Sequence, residues 1–422
     1  MLPRLLTIWE NIRSSLWALP IAMIAVAVLV AVFATGISVE VGKDPVWFLY
    51  SGAAKDAPGF LSNLVSGTIT LATLAISITM VVLTLAAQQL GPRLIRIFMR
   101  DLRTQAMLGL FISTVIYLLL VMRSVYGDTV PNLAVTIGTG LVLLSTVILL
   151  VFVHHLGRSI IADNVIDDVG KEIDNSAARM LPEKNGDGPK QRPRPAGDPG
   201  DLRLDGEGYI QALDHGQIVD AARKAGAVVE IDIRAGHLLI PGIAVGKVWP
   251  STAATAEFAQ AVLGGFVIGR DRTSVQDLEF SIRQIVEVGV RALSPGVNDP
   301  YTALVTIDRL SLSLARIMQR GPAQTQWCDD DGDLRLIAQR SDFEGLIDAS
   351  FNIMLRQFGE GSAAVLIRLA ERLSELHELG DGKQRATIGK HLDMVLRAGR
   401  RSLPEPNDVA ALESRIPQGA RG

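Results

Sequence analysis

Leu61–Leu90 reads LSNLVSGTITLATLAISITMVVLTLAAQQL, and no charged residue occurs between Asp56 and Arg93. A helix needs about 20 predominantly apolar residues to cross the hydrocarbon core of a bilayer, so this segment reads as a membrane span. Its polar residues follow a pattern. Ser66, Thr70, Thr73, Ser77 and Thr84 recur at helical spacing, Met80 fills the missing step, and Gln88 follows one turn later. Lipid offers no hydrogen-bond partner, so a hydroxyl-bearing face should look toward protein or water. Tight helix packing and a pore or substrate path both use such a face. Ser and Thr can also satisfy themselves on their own helix backbone. Sequence alone leaves packing and pore open.

Working outward, three more segments qualify as spans: Leu16–Val39, Ala106–Met122 and Leu133–Val153. The first is uncharged from Leu16 to Ile37, too long for a signal-peptide core, and reads as a retained helix. Basic residues set the orientation. Arg4 and Arg13 precede the first span, Arg93, Arg96, Arg100 and Arg103 lie between the second and third, and Arg158 follows the fourth. The other side carries only Lys43, Lys55 and Arg123. The expectation is a multi-pass protein of the cell (inner) membrane with both termini cytoplasmic and the lipid bilayer as its first partner.

Hydrophobic residues make up 48% of the 422-residue chain and charged residues 20%, with a mean hydropathy of +0.29. The apolar excess is concentrated in the first 157 residues, so the average conceals a membrane half and a soluble half. Net charge is -3, and no basic tract suggests nucleic acid. The single cysteine, Cys328, excludes internal disulfides and a Cys-rich metal site.

Gly91-Pro92 should break or kink the second helix. Beyond it Arg93, Arg96, Arg100 and Arg103 form a basic stripe, suited to headgroup phosphates or, in an oligomer, to ringing a mouth that attracts anions. His154-His155 closes the fourth span. Adjacent helical residues point about 100° apart, so an interfacial pair fits better than two ligands of one metal or haem. No metal or other cofactor is expected.

The expected organisation is mainly α: a four-helix transmembrane region (1–157), an amphipathic connecting helix (158–181), a disordered Pro/Gly-rich linker (182–205), a small β-rich module (206–250), a cytosolic helical domain (251–403) and a flexible tail (404–422). The linker composition cannot bury a core. Val229, Ile231 and Ile233 alternate with Glu230, Asp232 and Arg234, the period-two pattern of a half-buried strand. Ala253–Phe266, Val275–Leu293, Pro300–Arg320, Phe343–Phe358, Ser362–Leu379 and Gln384–Gly399 carry apolar positions three and four apart, as helices do. Arg283, Glu287 and Arg291 follow i, i+4 steps and read as a salt-bridged face. Asp277 and Glu279 lie two apart, a poor general acid/base pair. The acidic run Asp329–Asp333 lacks the twelfth-position Glu of a calcium loop, since that position is Arg340, and reads as a solvated turn.

Arg291–Leu304, RALSPGVNDPYTAL, interrupts the helical half. Pro295 stops one helix and Gly296 permits a tight turn. Asp299 can accept a backbone N–H as N-cap, and Pro300 suits the first helical position. Arg291, Ser294, Asn298 and Thr302 exceed what such a corner needs. They either brace the corner against a neighbouring subunit or bind an anion or metal.

Arg272, Asp277-Leu278-Glu279-Phe280 and the run from Arg291 to Ala303 resemble a bacterial family of membrane proteins catalogued as domain of unknown function 2254. Pro92-Arg93 with Arg100-Asp101 and Gly208-Tyr209-Ile210-Gln211 are similar to the same family. The resemblance spans nearly the whole chain apart from the linker and the tail. It implies a multipass membrane protein with a cytosolic domain and carries over no catalytic residue.

Three functional classes follow. The first is a homo-oligomeric channel or transport protein, with the second span lining the path and the cytosolic domain gating or assembling it; the ion or small ligand is unknown. The second is a membrane-anchored sensor or scaffold. The third, a membrane-bound enzyme, ranks last, because no nucleophile is assembled with a base and its orienter.

Overall fold

In the computed structural model the chain is described over residues 17–37, 49–52, 55–89, 91, 98–99, 101–125, 130–159, 161–184, 191–359 and 361–420. It divides into two compact units, Glu10–Ile161 and a second made chiefly of Ala162–Gly422. The first contains four helices long and apolar enough to cross a membrane: α1 (Ala18–Gly36), α2 (Ala57–Gln89), α3 (Leu102–Ser124) and α4 (Asn132–Ser159). They match the four spans read from hydropathy.

The hub of this unit is α3, whose most apolar window is 61% buried, against 17–28% for the other three. Small residues let α1 approach it closely. Ala27, Ala31 and Ala34 of α1 are buried. On α3, a Cβ at Gly109 would lie 2.6 Å from the Met23 sulfur and 3.1 Å from Pro20 Cα. On the other side the Tyr117 hydroxyl donates to the Ala134 carbonyl of α4 at 3.0 Å. Small residues and side-chain hydrogen bonds are what membrane helices use where no hydrophobic effect drives association. α2 ends at Gln89, and Gly91 takes the left-handed φ of 112°.

The second unit opens with α5 (Ala162–Met180) and then builds its sheets: β1 (Gly200–Arg203), β2 (Gly208–Leu213), α6 (His215–Lys224), β3 (Val228–Ile231), β4 (Leu238–Leu239), β5 (Ala244–Trp249), α7 (Ala256–Leu263) and β6 (Phe266–Gly269). The rest is α8 (Leu278–Ala292), α9 (Pro300–Met318), β7 (Gln326–Cys328), β8 (Leu334–Ala338), α10 (Phe343–Met354), α11 (Ala363–Leu379), α12 (Gly382–Ser402) and α13 (Pro406–Ser414). One sheet has the order β1-β5-β3-β8-β7 and a smaller one β4-β2-β6. All pairings are antiparallel except β3 with β8, which sets Val229 against Leu336. Ile210, Ile218, Val229, Val248, Val262 and Leu336 lie at the centre of their core. In the helical part α8 is the inner helix, with ten buried residues out of fifteen.

Four expected boundaries differ. The connecting helix is not a continuation of the fourth span, because Ile161 is non-helical. Val165, Ile166, Val169 and Ile173 are buried, so α5 packs as part of the second unit. The β module is not confined to 206–250, since β8 pairs with its central strand β3, and β7 with β8, from within the region expected to be helical. A parallel pair needs a long crossover, which local periodicity does not reveal. Within the Pro/Gly-rich segment, residues 185–190 lie outside the described residues. Further on, Gln326 clasps the Arg192 backbone in both directions, at 2.7 and 2.8 Å. Gly200–Arg203 pairs as a strand with β5. The tail contains α13, with Pro406 in its first turn, and Leu412 and Ile416 are buried.

Asp329–Asp333 is the β7–β8 turn. The Asp329 N–H donates to the Asp333 carbonyl at 2.9 Å, Gly332 sits at φ 85°, and Arg335 pairs with Asp329.

Candidate functional site

Two seams run along α2. Leu61, Val65, Thr68, Ala75, Thr79, Val82 and Ala86 are buried, and with half-buried Ala72 they repeat at alternating steps of four and three. This face packs within the unit. Its two hydroxyls are spent on their own helix, Thr68 donating to Leu64 and Thr79 to Ala75, both at 2.7 Å. The second seam, Ser66, Thr70, Thr73, Ser77 and Thr84, is displaced from the first by five residues, about 140° around the helix, and Gln88 follows about one turn beyond Thr84. Every one of these six is exposed.

Among the described residues the hydroxyl stripe is therefore not the face that α2 packs against its neighbours. Thr70 and Thr84 back-bond to Ser66 and Met80 at 2.9 and 2.8 Å. The hydroxyls of Ser66, Thr73 and Ser77 make no hydrogen bond among the described residues. The stripe is a polar, uncharged seam on the outside of an isolated subunit.

Of the basic stripe, Arg93, Arg96 and Arg100 lie outside the described residues. Arg103 is placed in the first turn of α3. Asp101 caps that helix, accepting from the Arg103 and Thr104 N–H groups and from the Thr104 hydroxyl. His155 of α4 joins them, with Nε2 3.0 Å from the Asp101 carboxylate and Nδ1 3.2 Å from the Arg103 guanidinium. A guanidinium can only donate. Nδ1 must therefore accept, and the ring proton sits on Nε2, directed at Asp101. His155 is a hydrogen-bonded tie between two helices. His154 is exposed and points elsewhere.

The corner between α8 and α9 closes on itself. The Ser294 hydroxyl donates to the Arg291 carbonyl at 2.6 Å, and the Asp299 N–H donates to the Ala292 carbonyl at 2.7 Å. Asp299 accepts the Tyr301 and Thr302 N–H groups and, at 2.6 Å, the Thr302 hydroxyl. That hydroxyl holds the Asp299 carboxyl below the usual range. Asn298 takes the left-handed φ of 49°, and Arg291 pairs with Glu287 at 3.5 Å. Pro300 occupies the first turn, while Pro295 and Gly296 are exposed. The side chains of Ser294, Thr302 and Arg291 are thus used locally, while that of Asn298 is exposed. The large apolar side chains turned outward are Val297 and Tyr301, 51% and 78% exposed.

A buried charge network lies elsewhere in the second unit. Asp277, fully buried, caps α8 and accepts Arg272 at 2.5 Å, and Glu279 accepts Arg234 at 2.5 Å. Arg234 also reaches Ser341 at 3.0 Å. These two acids are anchors for different partners. Arg309 of α9 is buried across α5, where a Cβ at Gly170 would come within 2.1 Å of its Nε. Its guanidinium meets Asp174 at 2.7 Å and Ser313 at 2.8 Å. Sequence reasoning missed this contact; the available signal was a glycine inside the amphipathic period of α5, which marks close approach. His215 stacks on Trp327 with centroids 4.2 Å apart. Burial, aided by the Arg340 charge, pushes its imidazole down to about 3. Among the described residues no cluster of three His, Cys, Asp or Glu has metal-binding geometry.

Four membrane-length helices followed by a separately packed unit of two small sheets and helices define a multi-pass membrane protein. A family model described as "Predicted membrane protein (DUF2254)" matches residues 13–375, and the chain belongs to that family. It is similar to uncharacterised proteins of Mycobacterium tuberculosis and Mycobacterium bovis, each 27% identical over 423 residues, covering 97% of this chain and 81% of the relative. No solved structure matches.

Proposed function

We propose that the chain is a subunit of a homo-oligomeric channel or transport protein of the cell (inner) membrane, with α2 lining the path and both termini cytoplasmic. The observation that carries this reading is the second seam of α2. An uncharged hydroxyl stripe facing hydrocarbon leaves polar groups without partners, and its step of four and three is the spacing at which helices pack. Copies of α2 around a common axis would give the stripe protein on its flanks and water at its centre. The second unit, cytoplasmic by the basic residues that flank the spans, would then assemble or gate the path. The lipid reading of Arg93, Arg96, Arg100 and Arg103 belongs to the same orientation.

The test is conductance of purified protein in planar bilayers. Replacing Thr73 or Ser77 with Phe narrows such a path and should lower unitary current. A folded, reconstituted protein that passes no current across a range of voltages and salts would sink the reading. A second reading, a membrane-anchored sensor or scaffold, draws support from the separate core of the second unit.

A further inference from the structure

Single exposed apolar side chains are ordinary on protein surfaces, and only contiguous ones call for an explanation. Among the described residues of the second unit, eight large apolar side chains are exposed, and three of them, Leu238, Ile240 and Ile243, fall within six positions. They are 50%, 47% and 52% exposed and surround Pro241-Gly242, which are exposed too. This is the turn that connects β4 of the smaller sheet to β5 of the larger one. No charged residue separates His237 from Lys247.

The tip is a preformed turn. Pro241 and Gly242 occupy its centre, Gly242 at φ 78°, and the Ile243 N–H returns to the Ile240 carbonyl at 3.4 Å. Proline followed by a left-handed glycine is the pattern of a type II turn. The Arg203 guanidinium donates to the Gly242 carbonyl at 2.7 Å and holds the turn from one side.

We infer that the β4–β5 turn is a lipid-contacting knob, inserting Leu238, Ile240 and Ile243 into the interfacial region of a bilayer. Three arguments favour lipid over protein. A stable protein interface takes about 800 Å² from each partner and about 20 residues, far more than a tip of six positions supplies. β4 is only two residues long, too short an edge for an added strand. A bilayer, by contrast, accepts a convex apolar knob without a complementary surface. The four spans tie this unit to a membrane through the chain itself. The inference rests on the membrane class alone and stands or falls separately from the transport reading.

The experiment uses the full-length chain in phosphatidylcholine/phosphatidylglycerol vesicles. On a Cys328→Ser background, a nitroxide is placed at Ile243→Cys, at Ile240→Cys in a second protein, and at Lys224→Cys as an exposed reference. Power saturation compares collision with oxygen, which concentrates in lipid, and with a water-soluble nickel chelate. The expected result is a shift toward oxygen and loss of nickel access at both turn sites relative to Lys224. Nickel access equal to that at Lys224 would overturn the inference in favour of a solvated tip. Protection from both reagents, with spin–spin broadening that vanishes on dilution with unlabelled protein, would replace lipid by a second copy. Protection from both without such broadening would also overturn it.

Discussion

Asn298 holds the α8–α9 corner at φ 49°, between a chain reversal closed by Ser294 and a helix capped by Asp299. The left-handed region costs an ordinary L-residue about 1–2 kcal/mol, a penalty that glycine escapes and asparagine reduces. Asn298→Ala should therefore lower stability by about 1 kcal/mol, while Asn298→Gly should melt close to the wild type. A loss of function in Asn298→Gly with unchanged melting would show that the amide itself is needed. His215 carries a pH dependence of definite sign. Its folded imidazole titrates at about 3, against an ordinary value near 6.5. Below pH 6.5 the unfolded chain binds a proton that the folded chain refuses, so stability is full above 6.5 and falls as pH drops toward 3. Between pH 7 and 5 the loss attributable to this group is about 2 kcal/mol. Denaturant titrations of the wild type and His215→Phe at both pH values should diverge by that amount, with the variant less sensitive to acid.

At the scale of elements, α5 and α9 meet where Gly170 lets Arg309 lie flat between them. Alanine improves helix propensity by about 1 kcal/mol over glycine, which on its own predicts a more stable Gly170→Ala. The new Cβ would displace a buried guanidinium from Asp174 and Ser313, and breaking a buried pair costs about 3–5 kcal/mol. The loss wins, and Gly170→Ala should be less stable by about 2–3 kcal/mol in a chemical melt. A more stable variant would show that Arg309 finds another path at little cost. The helices themselves were legible in the sequence, because each carries its own apolar period and most carry a cap: Asp277, Asp299, Asp342 and Asp381 all precede helices they cap. The corner was legible for the same reason. What sequence could not show was which face of α2 would be covered, because both seams repeat at steps of four and three and only tertiary packing chooses between them. It could not show the Arg309 contact or the Arg234–Glu279 pair either, since their partners lie far apart along the chain.

At the scale of the whole molecule, hydropathy alone separates the two units, but not the architecture of the second. Its own core of Ile210, Val229, Val248 and Leu336 predicts that the chain from Ala162 onward, made without the spans, gives a soluble product with a cooperative melt. A product that aggregates or melts without cooperativity would mean that this unit needs the membrane helices to fold. The parallel pairing of β3 with β8 also has a temporal side. The two strands are separated by about a hundred residues, and synthesis at about 5–20 residues per second delivers the second some 5–20 seconds after the first. All four spans precede both strands and emerge earlier still. Throughout that interval β3 can pair only with β5, its other edge open, while the strand that will cover it has yet to leave the ribosome.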